Sequence, residues 1–160
     1  MKRLSIIVIG LLLMGCNDVV HEVTPNIAVT HINNGLMKLH SPDDGNVQME
    51  TSYKNGVKHG VCKTYYKKRL ELVENYVNGK REGMAVAYFP SGVIAGEYFY
   101  DNDQKERELQ FDTDGKIMKE FFYEDGNILP YKGYEYDKEG SKNEIPENMF
   151  RALSNPMPSK

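Results

Sequence analysis

The sequence predicts an all-β protein, an elongated meander of stacked β-hairpins built from repeats of about 23 residues. Two observations carry this prediction. Tyrosines recur at spacings of 23, 24 and 23 residues, and they are Tyr53, Tyr76, Tyr100 and Tyr123. Between them lie short runs rich in Val, Ile, Tyr and Phe, bounded by turn residues, which is the pattern of β-strands. A period of this length indicates a repeat architecture.

Two series of turns alternate along residues 34–142, which we interpret as one repeat domain. In the first series each turn follows a repeat tyrosine, and its members are Asn55-Gly56, Asn78-Gly79, Asn102-Asp103 and Asp125-Gly126. The second series comprises Asp44-Gly45, Ser91-Gly92, Asp114-Gly115 and Glu139-Gly140, and one unit has Lys67-Lys68-Arg69 in that place. Asn-Gly and Asp-Gly supply the positive φ that tight hairpins need, so both series predict chain reversals.

A column of apolar residues accompanies the tyrosines. Each member stands six residues before a repeat tyrosine, and the members are Val47, Leu70, Ile94 and Ile117. Residues six apart on a regular strand point to the same side. We therefore expect the apolar column and the tyrosine column to share one face of the sheet.

The N-terminus resembles a bacterial lipoprotein signal. Lys2 and Arg3 precede an apolar run over residues 4–14, which is about half of the roughly 20 residues that a membrane-spanning helix needs. Leu13-Met14-Gly15-Cys16 matches a lipobox, which implies a signal peptide over residues 1–15, cleavage before Cys16 and acylation of that cysteine. The alternative is an ordinary cysteine in a plain signal peptide.

Two flanking segments complete the predicted organisation. Residues 16–33 read as an acylated tether with one short strand, and residues 143–160 as a C-terminal cap or flexible tail with one helical turn. Acylation predicts a lipid-anchored protein of the cell envelope. Asn17 stands where a retention Asp would direct sorting to the inner membrane, which favours the outer membrane in a Gram-negative source.

Composition restricts the classes of function. Without residues 1–15 the chain carries 18 basic and 23 acidic residues, a balance that argues against a nucleic-acid partner. The four histidines have no paired metal-ligand spacing, and Asp112-Thr113-Asp114-Gly115 lacks the remaining ligands of a calcium loop. We expect no metal, no cofactor and no catalytic centre. Cys62 is expected to be a small buried residue, the alternative being an intermolecular disulfide or a reactive thiol.

The repeat resembles the MORN-repeat variant of YwqK-like antitoxin proteins. The resemblance rests on Asn-Gly-x-x-x-Gly at residues 55–60 and 78–83, the aromatic pairs Tyr65-Tyr66 and Tyr88-Phe89, and the closing Tyr-x-Asn-Gly. It covers about residues 35–140 and departs from the pattern at residues 103–107, where both glycines are missing. The resemblance implies an elongated hairpin stack and a binding role.

Aromatic and acidic residues are the candidate contacts with a partner. The repeat tyrosines are expected to pack the sheet, whereas the non-repeating Tyr98, Phe121 and Tyr131 are candidates for a protein interface. Acidic residues gather at one row of turns (Asp43, Asp44, Asp112, Asp114, Asp137 and Glu139) and at the other (Asp101, Asp103, Glu124 and Asp125). Stacked in register, they would form two negative lines that steer a basic partner. The alternative is that Asp favours turns.

The functional prediction is a non-enzymatic envelope lipoprotein that binds another protein, as an antitoxin or immunity-type partner of a basic toxin. The alternative is a structural or assembly scaffold of the envelope that binds lipid headgroups, peptidoglycan or an envelope complex.

Overall fold

The computed structural model describes residues 20–23, 32–124 and 129–154. These form twelve strands and one helix. The strands are β1 (Val20–Val23), β2 (Gly35–His40), β3 (Val47–Lys54), β4 (Val57–Tyr66), β5 (Arg69–Val77), β6 (Lys80–Arg81), β7 (Gly83–Tyr88), β8 (Ile94–Asp101), β9 (Gln104–Phe111), β10 (Ile117–Phe122), β11 (Lys132–Tyr136) and β12 (Lys142–Glu144), and the helix is α1 (Glu147–Ser154).

All twelve strands belong to one open sheet, which confirms the predicted β-meander. The strand order follows the chain from β1 to β12, with the short β6 pairing only with β5. Each strand from β2 onward pairs antiparallel with its neighbours, while β1 pairs parallel with β2. The segment expected as a tether thus contributes the first edge strand, and α1 lies in the segment expected as a cap or tail.

Three turns after the repeat tyrosines share one geometry, and the fourth predicted turn, Asp125-Gly126, lies outside the described residues. Both central residues have positive φ: 52° and 78° at Asn55-Gly56, 51° and 88° at Asn78-Gly79, and 51° and 72° at Asn102-Asp103. This is the type I′ geometry that matches the twist of a hairpin. Asn and Asp tolerate the left-handed region better than most residues, so the third turn forms without glycine.

Successive turns of this series are bonded to one another. The second turn residue donates its amide to a carbonyl of the preceding unit, as Gly79 does to Lys58 at 2.8 Å and Asp103 to Arg81 at 3.0 Å. The first turn residue donates its amide to a side chain of that unit, and Asn102 donates to Glu82 Oε2 at 3.0 Å. Two bonds per turn therefore fix the register between units.

A β-bulge also recurs in every unit. The pairing register skips one residue at Gln48, Glu71, Ala95 and Met118, spaced 23, 24 and 23 residues apart. An extra residue reverses the in-and-out alternation beyond it. Val47 consequently lies opposite His40 on one face, while Tyr53 packs against Met37 on the other. The expectation that the apolar and tyrosine columns share a face is wrong for this reason.

The two faces of the sheet differ in the side chains and terminal segments that pack on them. The tyrosine face carries the four repeat tyrosines together with the buried Met37, Thr51, Cys62 and Ala85. At its N-terminal end Val23 and Ile32 pack on Met37. At its C-terminal end Phe150 of α1 packs on Phe121, above Gly133. Cys62 is a buried free thiol within hydrogen-bonding distance of Thr51, as its expected role as a small core residue requires.

Candidate protein-binding surface

Every repeat tyrosine from the second unit onward lies beneath a cation of the preceding unit. Lys58 Nζ is 4.7 Å from the ring centroid of Tyr76, the Arg81 guanidinium 4.2 Å from that of Tyr100, and Lys105 Nζ 4.1 Å from that of Tyr123. Cation–π contacts of this kind contribute about 0.5–1 kcal/mol each at exposed sites. Sequence reasoning missed this cation column, although its spacing of 23 and 24 residues repeats that of the tyrosines.

Glu108 is the acceptor of a second network of contacts on the tyrosine face. Its buried carboxylate accepts hydrogen bonds from Lys105 Nζ at 2.6 Å, Gln110 Nε2 at 2.7 Å and the Tyr123 hydroxyl at 2.8 Å. Burial by itself raises the pKa of Glu108, but these donors outweigh it and hold the pKa below its usual value. The same contact adds to burial in raising the pKa of Tyr123. Both groups therefore stabilise the sheet.

Tyr98 borders a shallow hollow on the tyrosine face. The hollow has a volume of about 430 Å³ and is lined by Glu71, Leu72, Glu74, Arg81, Ala85, Ala87, Tyr98 and Tyr100. A Cβ atom built on Gly96 would lie 2.8 Å from the Tyr98 hydroxyl, so the ring extends over that glycine. Tyr98 is therefore half-buried at the rim, where a partner could reach its edge.

The other two predicted aromatic contacts have different environments. Phe121 meets Phe150 edge to face, with ring centroids 6.2 Å apart, so helix α1 covers it. Phe121 thus has a packing partner within the chain, and its contact with another protein stays a prediction. Tyr131 is 51% exposed, and its amide donates to the Phe122 carbonyl, which holds it beside β10. Tyr131 stays available to a partner.

Acidic side chains at the turns are mostly engaged locally. Asp112 Oδ1 accepts the amides of Asp114 and Lys116, and Asp103 Oδ1 accepts both the amide and Nε of Arg81. Asp101 Oδ1 accepts a bond from Asn102. Asp114 and Glu124 are exposed, and Asp125 lies outside the described residues.

Basic residues also lie in the two rows of turns that were expected to form lines of negative charge. Lys67 and Lys68 form the exposed turn between the acidic turns at residues 41–46 and 112–116. In the other row, Lys80 and Arg81 lie beside Asp103. Each row therefore contains both signs of charge, which weakens any long-range steering field that the rows produce.

The aliphatic face, on the other side of the sheet, has an uncovered apolar centre. Val73 of β5 lies opposite Val86 of β7, and the exposed Val61 and Met84 extend the surface to the neighbouring register positions, with 44% and 49% of their areas accessible. Leu109 of β9 lies beyond Glu97 on the same face and is buried. Among the described residues, no strand or helix forms a second layer over these side chains. An apolar patch rimmed by polar groups is typical of an interaction site.

Two glutamates that are hydrogen-bonded within the chain border this apolar centre. On the N-terminal side, Glu50 accepts a hydrogen bond from the Tyr65 hydroxyl at 2.9 Å and pairs with Lys38 at 3.7 Å.

On the C-terminal side, the buried Glu120 accepts bonds from Arg107 Nε at 2.8 Å, Lys142 Nζ at 2.7 Å and the Tyr136 hydroxyl at 3.0 Å. Burial raises the pKa of Glu120, but these three donors outweigh it, so the pKa lies below its usual value. Polar groups at both ends thus delimit the apolar centre.

No family model matches the chain, and no curated protein is found to be similar to it. Within the part of the chain that the structure describes, no helix is long and apolar enough to cross a membrane. The same residues contain no group of three or more His, Cys, Asp or Glu side chains placed to hold a metal ion. Cys16, the expected acylation site, lies outside the described residues.

Proposed function

We propose that the protein is a non-enzymatic binding module whose contact surface for another protein is the apolar centre of the aliphatic face. The observation that supports this proposal is the exposed pair Val61 and Met84 beside the half-buried Val73 and Val86, on a face of the sheet that no second layer covers among the described residues. With the neighbouring Glu97 it extends over β4, β5, β7 and β8, which at about 4.8 Å between strands is about 15 Å across. That width suits a protein contact better than a small ligand.

The biological role that we propose is that of an antitoxin or immunity-type partner held at the cell envelope by an acylated Cys16. The Asn-Gly-x-x-x-Gly units, with their resemblance to YwqK-like antitoxin proteins, support the role, and the lipobox at residues 13–16 supports the anchor. The acidic balance of the mature chain favours a basic partner.

Capture of a partner tests the binding surface. The mature chain with Cys16→Ser is used as bait in an envelope lysate supplemented with the products of adjacent genes. We expect one stoichiometric, basic protein that salt releases. Met84→Lys should abolish its capture, because the change places an ammonium group in the apolar centre.

Val77→Lys is the matched control, since Val77 is also exposed (40%) but lies at the turn end of β5. Equal capture by both lysine variants would refute the proposed surface. A bait that captures no protein but binds peptidoglycan or lipid vesicles would favour the scaffold role instead.

The anchor has its own test. Full-length protein should appear in the membrane fraction and take up an acyl label, and Cys16→Ser should lose both. A serine variant that keeps the label and the membrane location would show that the lipoprotein assignment is wrong.

A further inference from the structure

Three units place a glutamate at the same point on the aliphatic face. Glu50, Glu97 and Glu120 each stand three residues before a repeat tyrosine, where the second unit has Val73. The strand pairings place Glu97 in the apolar centre, opposite Val86 on one side and Leu109 on the other. The repeat thus provides two reference sites for what a carboxylate at this position binds.

Both reference carboxylates, those of Glu50 and Glu120, bind the same two kinds of group. Glu50 has a cation from the preceding strand (Lys38 of β2) and a tyrosine hydroxyl from the following strand (Tyr65 of β4). Glu120 likewise has Arg107 of β9 and Tyr136 of β11, and Lys142 adds a second cation.

Glu97 has no corresponding cation within the described part of the chain. Its facing residues Val86 and Leu109 are aliphatic, and Arg107, two residues along β9 from Leu109, is bonded to Glu120. Glu97 is partly exposed, so its carboxylate is open to solvent in the free protein. A partner that covered the apolar centre would exclude that solvent and leave the carboxylate uncompensated unless it brought a donor.

We propose that Glu97 anchors a lysine or arginine side chain of the partner protein, flanked by apolar residues that rest on Val86 and the exposed Met84. The partner then supplies the cation that the chain itself supplies to Glu50 and Glu120. This inference rests on the proposed binding surface and adds its specificity: an apolar partner with no cation at this point is rejected, because the buried carboxylate would remain unpaired.

A pair of synthetic peptides tests the anchor on the mature Cys16→Ser chain. Each peptide alternates apolar and polar residues and carries one central residue, arginine in the first and citrulline in the second, so the pair differs in charge with little change of shape. Fluorescence anisotropy gives the two dissociation constants. We expect the arginine peptide to bind about tenfold more tightly, the effect of one charge-assisted bond at a desolvated site.

Glu97→Gln should remove that preference, while Glu71→Gln on β5, whose carboxylate pairs with Arg69, should preserve it. Equal binding of the two peptides, no binding of the arginine peptide, or an unchanged preference in Glu97→Gln would each overturn the anchor. If Met84→Lys still abolishes capture of the protein partner in that case, the binding surface stands and only the anchor is refuted.

Discussion

The two faces of the sheet carry the same repeat, but they differ in how far the chain satisfies its own side chains. On the tyrosine face each repeat tyrosine from Tyr76 onward has a cation over its ring, Glu108 has three donors, and the terminal segments cover both ends. On the aliphatic face the carboxylates of Glu50 and Glu120 are hydrogen-bonded within the chain. Within the described residues, Glu97 at the centre has no cation bound to it, and no second layer packs over the centre. A single-layer sheet can thus be stabilised on one side and leave the other side for binding.

The largest expected effect on the free energy of unfolding is the difference between Glu108, which has three hydrogen-bond donors, and Glu97. Glu108→Ala should lower the free energy of unfolding by about 2 kcal/mol, because Lys105, Gln110 and Tyr123 lose a buried acceptor. Glu97→Ala, at the open position, should change it by less than about 0.5 kcal/mol. Urea unfolding of both variants measures the difference. Equal losses would mean that the two faces do not differ in the way described.

The C-terminal cover of the tyrosine face gives a similarly large effect. A Cβ atom on Gly133 would lie 2.8 Å from Phe121 and 2.9 Å from Phe150, so Gly133→Ala should force the two rings apart and cost about 1–3 kcal/mol. Thermal unfolding measures the loss. In a Phe150→Ala background the same substitution should cost less, because one of the two close contacts is gone. An undiminished cost would indicate that α1 does not cover Phe121.

Local chemistry made much of this fold predictable from sequence. The tyrosine spacing and the Asn-Gly turns determine the hairpins, and within the described residues the sheet has them where they were predicted. The assignment of side chains to faces failed at Val47, Leu70, Ile94 and Ile117 because a bulge leaves no mark in composition, only an extra residue between two columns.

The binding candidates were harder to predict, because exposure depends on contacts distant in sequence. Phe121 is covered by Phe150, 29 residues further along the chain. Glu50 and Glu120 each have a cation on the adjacent strand, Lys38 and Arg107 respectively. Glu97 has the aliphatic Val86 and Leu109 at its paired positions. Only the pairing register shows this difference.

Acid should weaken the closed networks in a defined pH range. The pKa values of Glu108 and Glu120 are lowered from 4.5 in the folded state, so their contribution to stability is fully present above that pH and is lost as the pH falls through the folded-state values. Urea unfolding between pH 7 and pH 3 should show a decline beginning near pH 4.5. Glu108→Gln should make the decline shallower. An identical decline in Glu108→Gln would show that Glu108 is not among the groups responsible.

The smallest expected effect concerns a single member of the cation column. A double-mutant cycle with Arg81→Met and Tyr100→Leu isolates the contact between the guanidinium and the ring, which lie 4.2 Å apart. The coupling should be about 0.5–1 kcal/mol, since the contact is partly exposed. Arg81 also bonds Asp103, so Arg81→Met alone should cost more than the coupling. A parallel cycle with Asp103→Asn and Tyr100→Leu should give almost no coupling, because Asp103 acts on Arg81 and not on the ring. A coupling near zero in the first cycle would show that the cations recur only because the hairpins do, without stabilising the sheet. The stability of the tyrosine face would then depend on Glu108 and on the terminal segments that pack on both ends.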